Sequence, residues 1–216
     1  MFYLKEALEY ERKAQKLFQE LDYKTRYYFT LMDKGIILMK LNRYDESMKA
    51  YFDSLDYFKN HGLVNIQYLT VCNIEWNYLL QGKYDEAWEA IKYFPENCDK
   101  NSFYYFIHVI YLYKKQCYDE CLKYIALCIE HKDQVTFNKR YCDLIYNAIK
   151  YGENYRYEAQ SITIFKKLLD RCEYTNARFV ALQLYEHYSK KHDHEQMEKW
   201  YRIYRSDNIK ADGLSI

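Results

Sequence analysis

The chain has 216 residues, of which 50% are hydrophobic and 19% aromatic, and this composition excludes an intrinsically disordered segment. Its 32 lysine and arginine residues balance 31 aspartate and glutamate residues, so no basic excess indicates a nucleic-acid-binding surface. Only five glycines and one proline are present. Because these two residue types punctuate turns and sheets, their scarcity favours an all-α protein.

The seven cysteines and the N-terminal segment bear on the compartment. The number is odd, and no short secreted framework surrounds the cysteines. The N-terminus, MFYLKEALEYERK, lacks the apolar core of a signal peptide. No stretch approaches the roughly eighteen apolar residues of a membrane span. We therefore expect a cytoplasmic protein with no membrane partner, in which the cysteines serve as small apolar residues.

Residues 3–22 form the first predicted element, an amphipathic helix. Ala7 and Ala14 stand where the second helix of a helical pair carries its small residues. The segment is either the second half of a pair whose first half is absent, or a cap on the helices that follow.

Three later segments share a phrase, each after a helix with apolar periodicity and each opening another helix. The phrases are Asn42-Arg43-Tyr44-Asp45-Glu46-Ser47, Gly82-Lys83-Tyr84-Asp85-Glu86-Ala87 and Gln116-Cys117-Tyr118-Asp119-Glu120-Cys121. We expect the aspartate to cap the second helix and the glutamate to interact favourably with its dipole. The small residue that ends each phrase should lie where two antiparallel helices cross closely.

These phrases resemble the G-x-Y-x-E-A turn of the tetratricopeptide repeat. The resemblance implies a right-handed α-solenoid of antiparallel helix pairs, built as a single domain over residues 1–216. Its repeats would start near residues 28, 68, 102, 141 and 178. The turn positions would fall at residues 44, 84, 118, 157 and 194, with a longer turn at 152–156 in the fourth repeat.

In such a solenoid the first helix of each pair lines a concave groove. Asn73 and Asn77 are one helical turn apart, so both amides can point into the groove and hold the backbone of an extended peptide. The alternative is that one or both are solvated or locally hydrogen-bonded. Aromatic side chains also suit peptide capture, with packing between helices as the competing interpretation. The other candidate ligand-binding residues are Asp33, Trp76, Phe106 and Tyr146.

The run of repeats and the asparagine on a first helix look like the C-terminal receptor domain of Gram-positive peptide-pheromone regulators of the Rap, PlcR, NprR and Rgg type. The resemblance implies a peptide-binding receptor domain of a quorum-sensing or transcriptional regulator, with Asn73 as the foremost ligand residue. Most members carry an N-terminal helix-turn-helix or three-helix bundle, and neither is recognised in this sequence. Two alternatives follow: the chain is a truncated receptor domain, or the resemblance is only to the repeat.

The alternative function is a constitutive scaffold for a partner protein or a dimerisation module. A terminal repeat needs its open face covered, so a homodimer through the C-terminal repeat is reasonable. The residues expected on that face are Trp200, Tyr201, Ile203 and Tyr204.

The sequence shows no catalytic machinery. It contains no GxGxxG, GxxxxGK[ST] or GxSxG motif. His192 and His194 fall in the turn of the fifth repeat, and Cys117 and Cys121 have structural places in the third. We therefore expect no enzyme activity, no metal, no cofactor and no direct contact with nucleic acid.

Overall fold

The computed structural model describes residues 2–96, 98–131, 136–152 and 156–214, and every regular element within these ranges is a helix. The all-α prediction is therefore confirmed. The chain divides into two compact units, residues 1–99 (unit 1) and residues 100–216 (unit 2), each with its own helices and core. The prediction of a single domain stays a prediction.

Unit 1 contains five α-helices followed by a short 3-10 helix. They are α1 (Phe2–Glu20), α2 (Lys24–Lys40), α3 (Tyr44–Asn60), α4 (Val64–Leu80), α5 (Tyr84–Glu89) and the 3-10 helix Ala90–Tyr93. Each α-helix packs against the next one in the chain, and α2 also touches α4.

Unit 2 contains seven α-helices in its described part. They are α6 (Ser102–Lys114), α7 (Tyr118–Glu130), α8 (Thr136–Tyr151), α9 (Tyr157–Asp170), α10 (Tyr174–Lys190), α11 (His194–Arg205) and α12 (Ile209–Gly213). The short α12 folds back onto α9, α10 and α11. Most of the longer turn predicted before α9, residues 153–155, lies outside the described residues.

The predicted turn positions 44, 84, 118, 157 and 194 are the first residues of α3, α5, α7, α9 and α11. The first helices are placed less well, since α2, α4 and α10 each begin four residues before the predicted repeat start. The first residues of α2 and α4, Lys24–Arg26 and Val64–Asn65, are exposed, and exposed residues add nothing to the apolar periodicity from which the starts were predicted.

Seven of the connections share one backbone geometry. A single residue two positions before the next helix has a positive φ, and the residue after it donates its N–H to a carbonyl five positions back, as in a Schellman turn. In unit 1 these left-handed residues are twenty positions apart; the full set is Asp22, Asn42, Gly62, Gly82, Gln116, Cys172 and His192.

The predicted cap by the turn aspartate is wrong. The residue before α3 is Arg43, before α5 Lys83 and before α7 Cys117, and none of them makes a side-chain cap. The aspartate lies inside the first turn, where its negative charge interacts favourably with the positive end of the helix dipole. The Schellman turn already sets the direction of the chain, so the second helix starts one residue before the aspartate.

The helix crossings of unit 1 confirm the places predicted for small residues. Ser47 and Ala87 are fully buried at these crossings. Ser47 Oγ donates to the Gly35 carbonyl at 2.7 Å. A Cβ atom at Gly35 would lie 2.6 Å from the ring of Tyr51, so glycine alone admits that ring between α2 and α3. The same ring belongs to a core that includes Phe58, Val71 and Ile74.

Unit 2 has an aromatic core. It contains Phe106 of α6, Phe137 and Tyr141 of α8, and Phe179 of α10, with ring centroids between 5.3 and 6.4 Å apart. All pairs among them are edge to face except Phe137–Tyr141, which is tilted. Such pairs add to the stability that burial alone provides. Cys121 is fully buried at the crossing of α6 and α7, where its thiol contacts the Val109 carbonyl.

Candidate functional site

Asp33 and Asn73 occupy equivalent positions on α2 and α4, forty residues apart. Asp33 is exposed and Asn73 half-buried. Leu69, one turn before Asn73, leaves 48% of its side chain open to solvent. A carboxylate, a carboxamide and an aliphatic group therefore line the open sides of two neighbouring helices, and together they can accept a cation, bond to a peptide backbone and contact an apolar side chain.

A second carboxylate lies beside Asp33. Burial raises the pKa of Glu11, on α1, and the negative charge of Asp33 raises it further. Partial burial likewise raises the pKa of Asp33. One oxygen of Glu11 is buried with no hydrogen-bond partner among the described residues. The two neighbouring carboxyls therefore make the edge between α1 and α2 electrostatically favourable for a positively charged group.

Asn77 does not face open solvent. It is fully buried, and its amide nitrogen donates to Ser47 Oγ at 2.9 Å, while Gln81 donates to its amide oxygen at 2.7 Å. Since Ser47 in turn donates to Gly35, the three side-chain and backbone groups link α4, α3 and α2. Of the two interpretations open at the sequence level, the structure gives Asn77 the local hydrogen bonds, and its amide is not free for a ligand.

Two of the three aromatic candidates, Phe106 and Trp76, are also buried. Phe106 is fully buried in the core of unit 2, and Trp76 is 8% exposed. A ligand could contact Phe106 only if the core were rearranged. Tyr146 is 39% exposed, and the ammonium group of Lys150 lies over its ring at 5.5 Å. Among the predicted site residues, Asp33, Asn73 and Tyr146 therefore have accessible side chains.

A groove in unit 1 combines tyrosine rings with carboxylates, which the sequence did not predict. It lies between α2 and α3, has a volume of about 420 Å³, and is lined by the rings of Tyr27, Tyr28 and Tyr57 and the carboxylates of Asp53 and Asp56. Tyr28 and Tyr57 stack with centroids 4.0 Å apart. Aromatic faces and carboxylates both attract cations.

A groove in unit 2 has the opposite charge. It lies between α8 and α9, which pack less closely than the other consecutive pairs of long helices in this unit, and its volume is about 390 Å³. Its lining includes the cations Arg140, Arg156 and Lys167 and a single carboxylate, Asp143. The sequence did not predict this groove, because the convergence of these charges depends on how α8 and α9 pack.

The predicted C-terminal dimer face is mostly covered. Trp200, Ile203 and Tyr204 are buried, and only Tyr201 is exposed, at 48%. Arg178 donates to the carbonyls of Tyr204 and Ser206, which holds the end of α11 against α10. This face therefore offers little apolar surface to a second copy.

All seven cysteines are free thiols. Within the described ranges no group of three or more histidine, cysteine or acidic side chains is arranged to hold a metal ion. In the same part of the chain, no helix has both the length and the apolar character needed to cross a membrane.

Comparison of the chain with protein-family models, with curated proteins and with solved structures finds no match. The function therefore has to be argued from the residues and their geometry.

Proposed function

We propose that the chain is a peptide-binding helical-repeat protein of the tetratricopeptide type, acting in the cytoplasm as the receptor part of a signalling or transcriptional regulator. The observation that carries this proposal is the pair Asp33 and Asn73, which stand at one repeat position on two adjacent first helices and keep accessible side chains. The seven free thiols support a reducing compartment.

The proposed ligand is a short extended peptide with a positive charge. Asn73 would bond to its backbone, Leu69 would contact an apolar side chain, and the carboxylates of Asp33 and Glu11 would receive a lysine, an arginine or the terminal amine. Carboxamides bond to peptide groups regardless of side chain, so the backbone contact supplies affinity and the carboxylates supply specificity. The role proposed for the chain is binding and not catalysis.

Selection from a random peptide library, followed by calorimetric titration of the enriched peptide, tests the proposal. Asn73→Ala should weaken binding by about tenfold, the value of one well-made hydrogen bond. Asn208→Ala, at an exposed asparagine just before α12 that makes no side-chain cap, is the matched control and should leave the affinity unchanged. Failure to enrich any peptide, or an enriched peptide that is indifferent to both Asn73→Ala and Asp33→Ala, would refute the proposal.

The second candidate is a constitutive scaffold or dimerisation module. The observation that favours it is the exposed apolar surface of α1, where Tyr3 and Tyr10 are 81% and 68% exposed. Apolar surface of this kind typically marks a protein–protein contact.

A further inference from the structure

Only part of the apolar face of α1 is covered by other residues of unit 1. At 100° per residue, the apolar positions from Tyr3 onward fall on one continuous half of the helix, together with Glu11. Most charged residues, such as Lys5, Glu9 and Lys16, fall on the other half. Leu8 lies at one edge of the apolar half and is buried against unit 1, while the residues at the other edge are exposed.

The uncovered edge is a stripe at heptad spacing. It consists of Tyr3, Tyr10 and Leu17, with Leu21 one turn further on, and each is more than half exposed. Residues seven apart lie on nearly the same line along a helix, so these side chains form one apolar ridge. We call it the α1 stripe.

The helix α3 shows what covers such a stripe elsewhere in unit 1. Its positions are those of α1 moved by forty residues, so Tyr57 corresponds to Leu17 and Ala50 to Tyr10. Tyr57 stacks on Tyr28 of the preceding helix, and Ala50 is buried. The preceding helix of the array thus covers this face of α3, and in the described part of unit 1 no helix takes the same place on α1.

We propose that a second copy of the chain covers the α1 stripe, so that two α1 helices pair antiparallel around a two-fold axis near Tyr10. With the axis at that residue, Tyr3 of one copy meets Leu17 of the other, and the two Tyr10 side chains meet at the centre. The contact is isologous, as in most homodimers. This inference does not depend on peptide binding.

The charges beside the stripe support an antiparallel pair of copies. Glu6 and Lys13 lie on its polar edge, seven residues apart, with opposite charges. Antiparallel pairing around Tyr10 brings Glu6 of each copy next to Lys13 of the other, which gives two symmetric ion pairs. Parallel pairing would instead place this edge against the opposite edge of the partner's stripe, which α2 already covers.

Sedimentation velocity at increasing micromolar concentrations should show the full chain changing to twice its mass. Tyr10→Glu should weaken dimerisation more than tenfold, because it places two carboxylates together at the axis. Tyr10 and the flanking Glu6 and Lys13 are all exposed, so circular dichroism should show an unchanged helical fold in variants at these positions.

A charge exchange makes the test specific for this geometry. Glu6→Lys and Lys13→Glu should each weaken dimerisation by about tenfold, since each converts both attractive pairs to repulsive ones. An equimolar mixture of the two variants should dimerise again, because every cross pair is then attractive. A chain that stays monomeric overturns the proposal, and so does a dimer that is unaffected by these substitutions, which would show that a different face is used.

Discussion

Glu75 illustrates how one residue can depart from its repeat. It stands where α2 has Gly35, forty residues earlier, and Ile91 stands where α3 has Tyr51. At the first crossing a glycine leaves room for a tyrosine ring. The equivalent positions of the second crossing hold a glutamate and a smaller residue. Its side chain is fully buried, and neither carboxylate oxygen has a hydrogen-bond partner among the described residues. Burial therefore raises the pKa of Glu75 well above the ordinary 4.5 and favours the neutral acid.

Replacing Glu75 with methionine should stabilise the protein. Glu75→Met should raise the free energy of unfolding at neutral pH by about 1–3 kcal/mol, because a buried polar group without partners is removed and similar volume is kept. The measurement is urea unfolding followed by circular dichroism. Glu86→Gln on the exposed side of α5 should change it by less than about 0.5 kcal/mol. A destabilised Glu75→Met variant would show that the carboxyl makes a favourable interaction.

At the scale of the element, the repeated unit is one helix with one Schellman turn. The sequence predicted where the second helices begin, because the Tyr-Asp-Glu phrase follows the turn closely. It did not predict the left-handed residue, because five different residue types besides glycine occupy that position, among them Gln116 and Cys172. Aspartate and asparagine tolerate this conformation, whereas glutamine pays a steric cost there. The geometry of the turn is therefore imposed by packing of the helices on either side.

Substitution at two of these turns should shift stability in opposite directions. Gln116→Gly should raise the free energy of unfolding by about 0.5–1 kcal/mol, because glycine adopts φ near +60° without the Cβ clash. Gly62→Ala should lower the free energy of unfolding by about 1 kcal/mol, because alanine is strained at this positive φ. No atom lies within 4 Å of the added Cβ, so packing should not contribute to the change. Thermal melting of both variants checks the prediction, and a shift of the same sign in both would contradict it.

At the scale of the whole molecule, the two units carry opposite electrostatic signatures. In unit 1, burial raises the pKa values of Glu11, Asp33 and Glu75. In unit 2, burial lowers the pKa of His108 to about 4. Against its own partial burial, Glu158 has a pKa lowered to about 2 by hydrogen bonds from Lys191, His187 and Tyr188. Through these groups, the folded form of unit 1 holds extra protons and that of unit 2 holds fewer.

Acidification should therefore stabilise unit 1 and destabilise unit 2. A carboxyl whose pKa is raised on folding destabilises the folded state as the pH rises above 4.5. Unit 1 therefore gains stability when the pH falls from 7 towards 4.5. A histidine whose pKa is lowered on folding destabilises the folded state as the pH falls from 6.5 to about 4. Unit 2 also loses the stability contributed by Glu158 as the pH falls below 4.5.

Hydrogen exchange at pH 7 and pH 5, corrected for intrinsic exchange rates, measures the two units separately. Protection should rise in residues 2–96 of unit 1 and fall in the described residues of unit 2, which are 100–131, 136–152 and 156–214. In His108→Phe, which keeps a ring against Tyr124, the loss of protection in unit 2 should be smaller. Parallel changes in both units would contradict the prediction.

The candidate site was less predictable from sequence than the helices. Asp33 and Asn73 have the accessible side chains that repeat spacing predicted, but Asn77 and Phe106 are buried. The reason is that α4 and α6 are apolar around most of their circumference, so periodicity does not show which side stays open. Nor could it show that Glu75 would be buried, since a lone glutamate on a helix is usually exposed.

The twenty-residue spacing of the turns in unit 1 limits how such a chain can lengthen by duplication. Copying residues 24–63 would join Leu63 to Lys24, and Leu63 stands where Tyr23 does, one residue after a left-handed turn residue. The chain would then continue with its direction unchanged. Copying a single helix with its turn would reverse the direction of everything that follows and exchange first helices for second ones. Parity therefore makes forty residues, and not twenty, the smallest increment that preserves the arrangement.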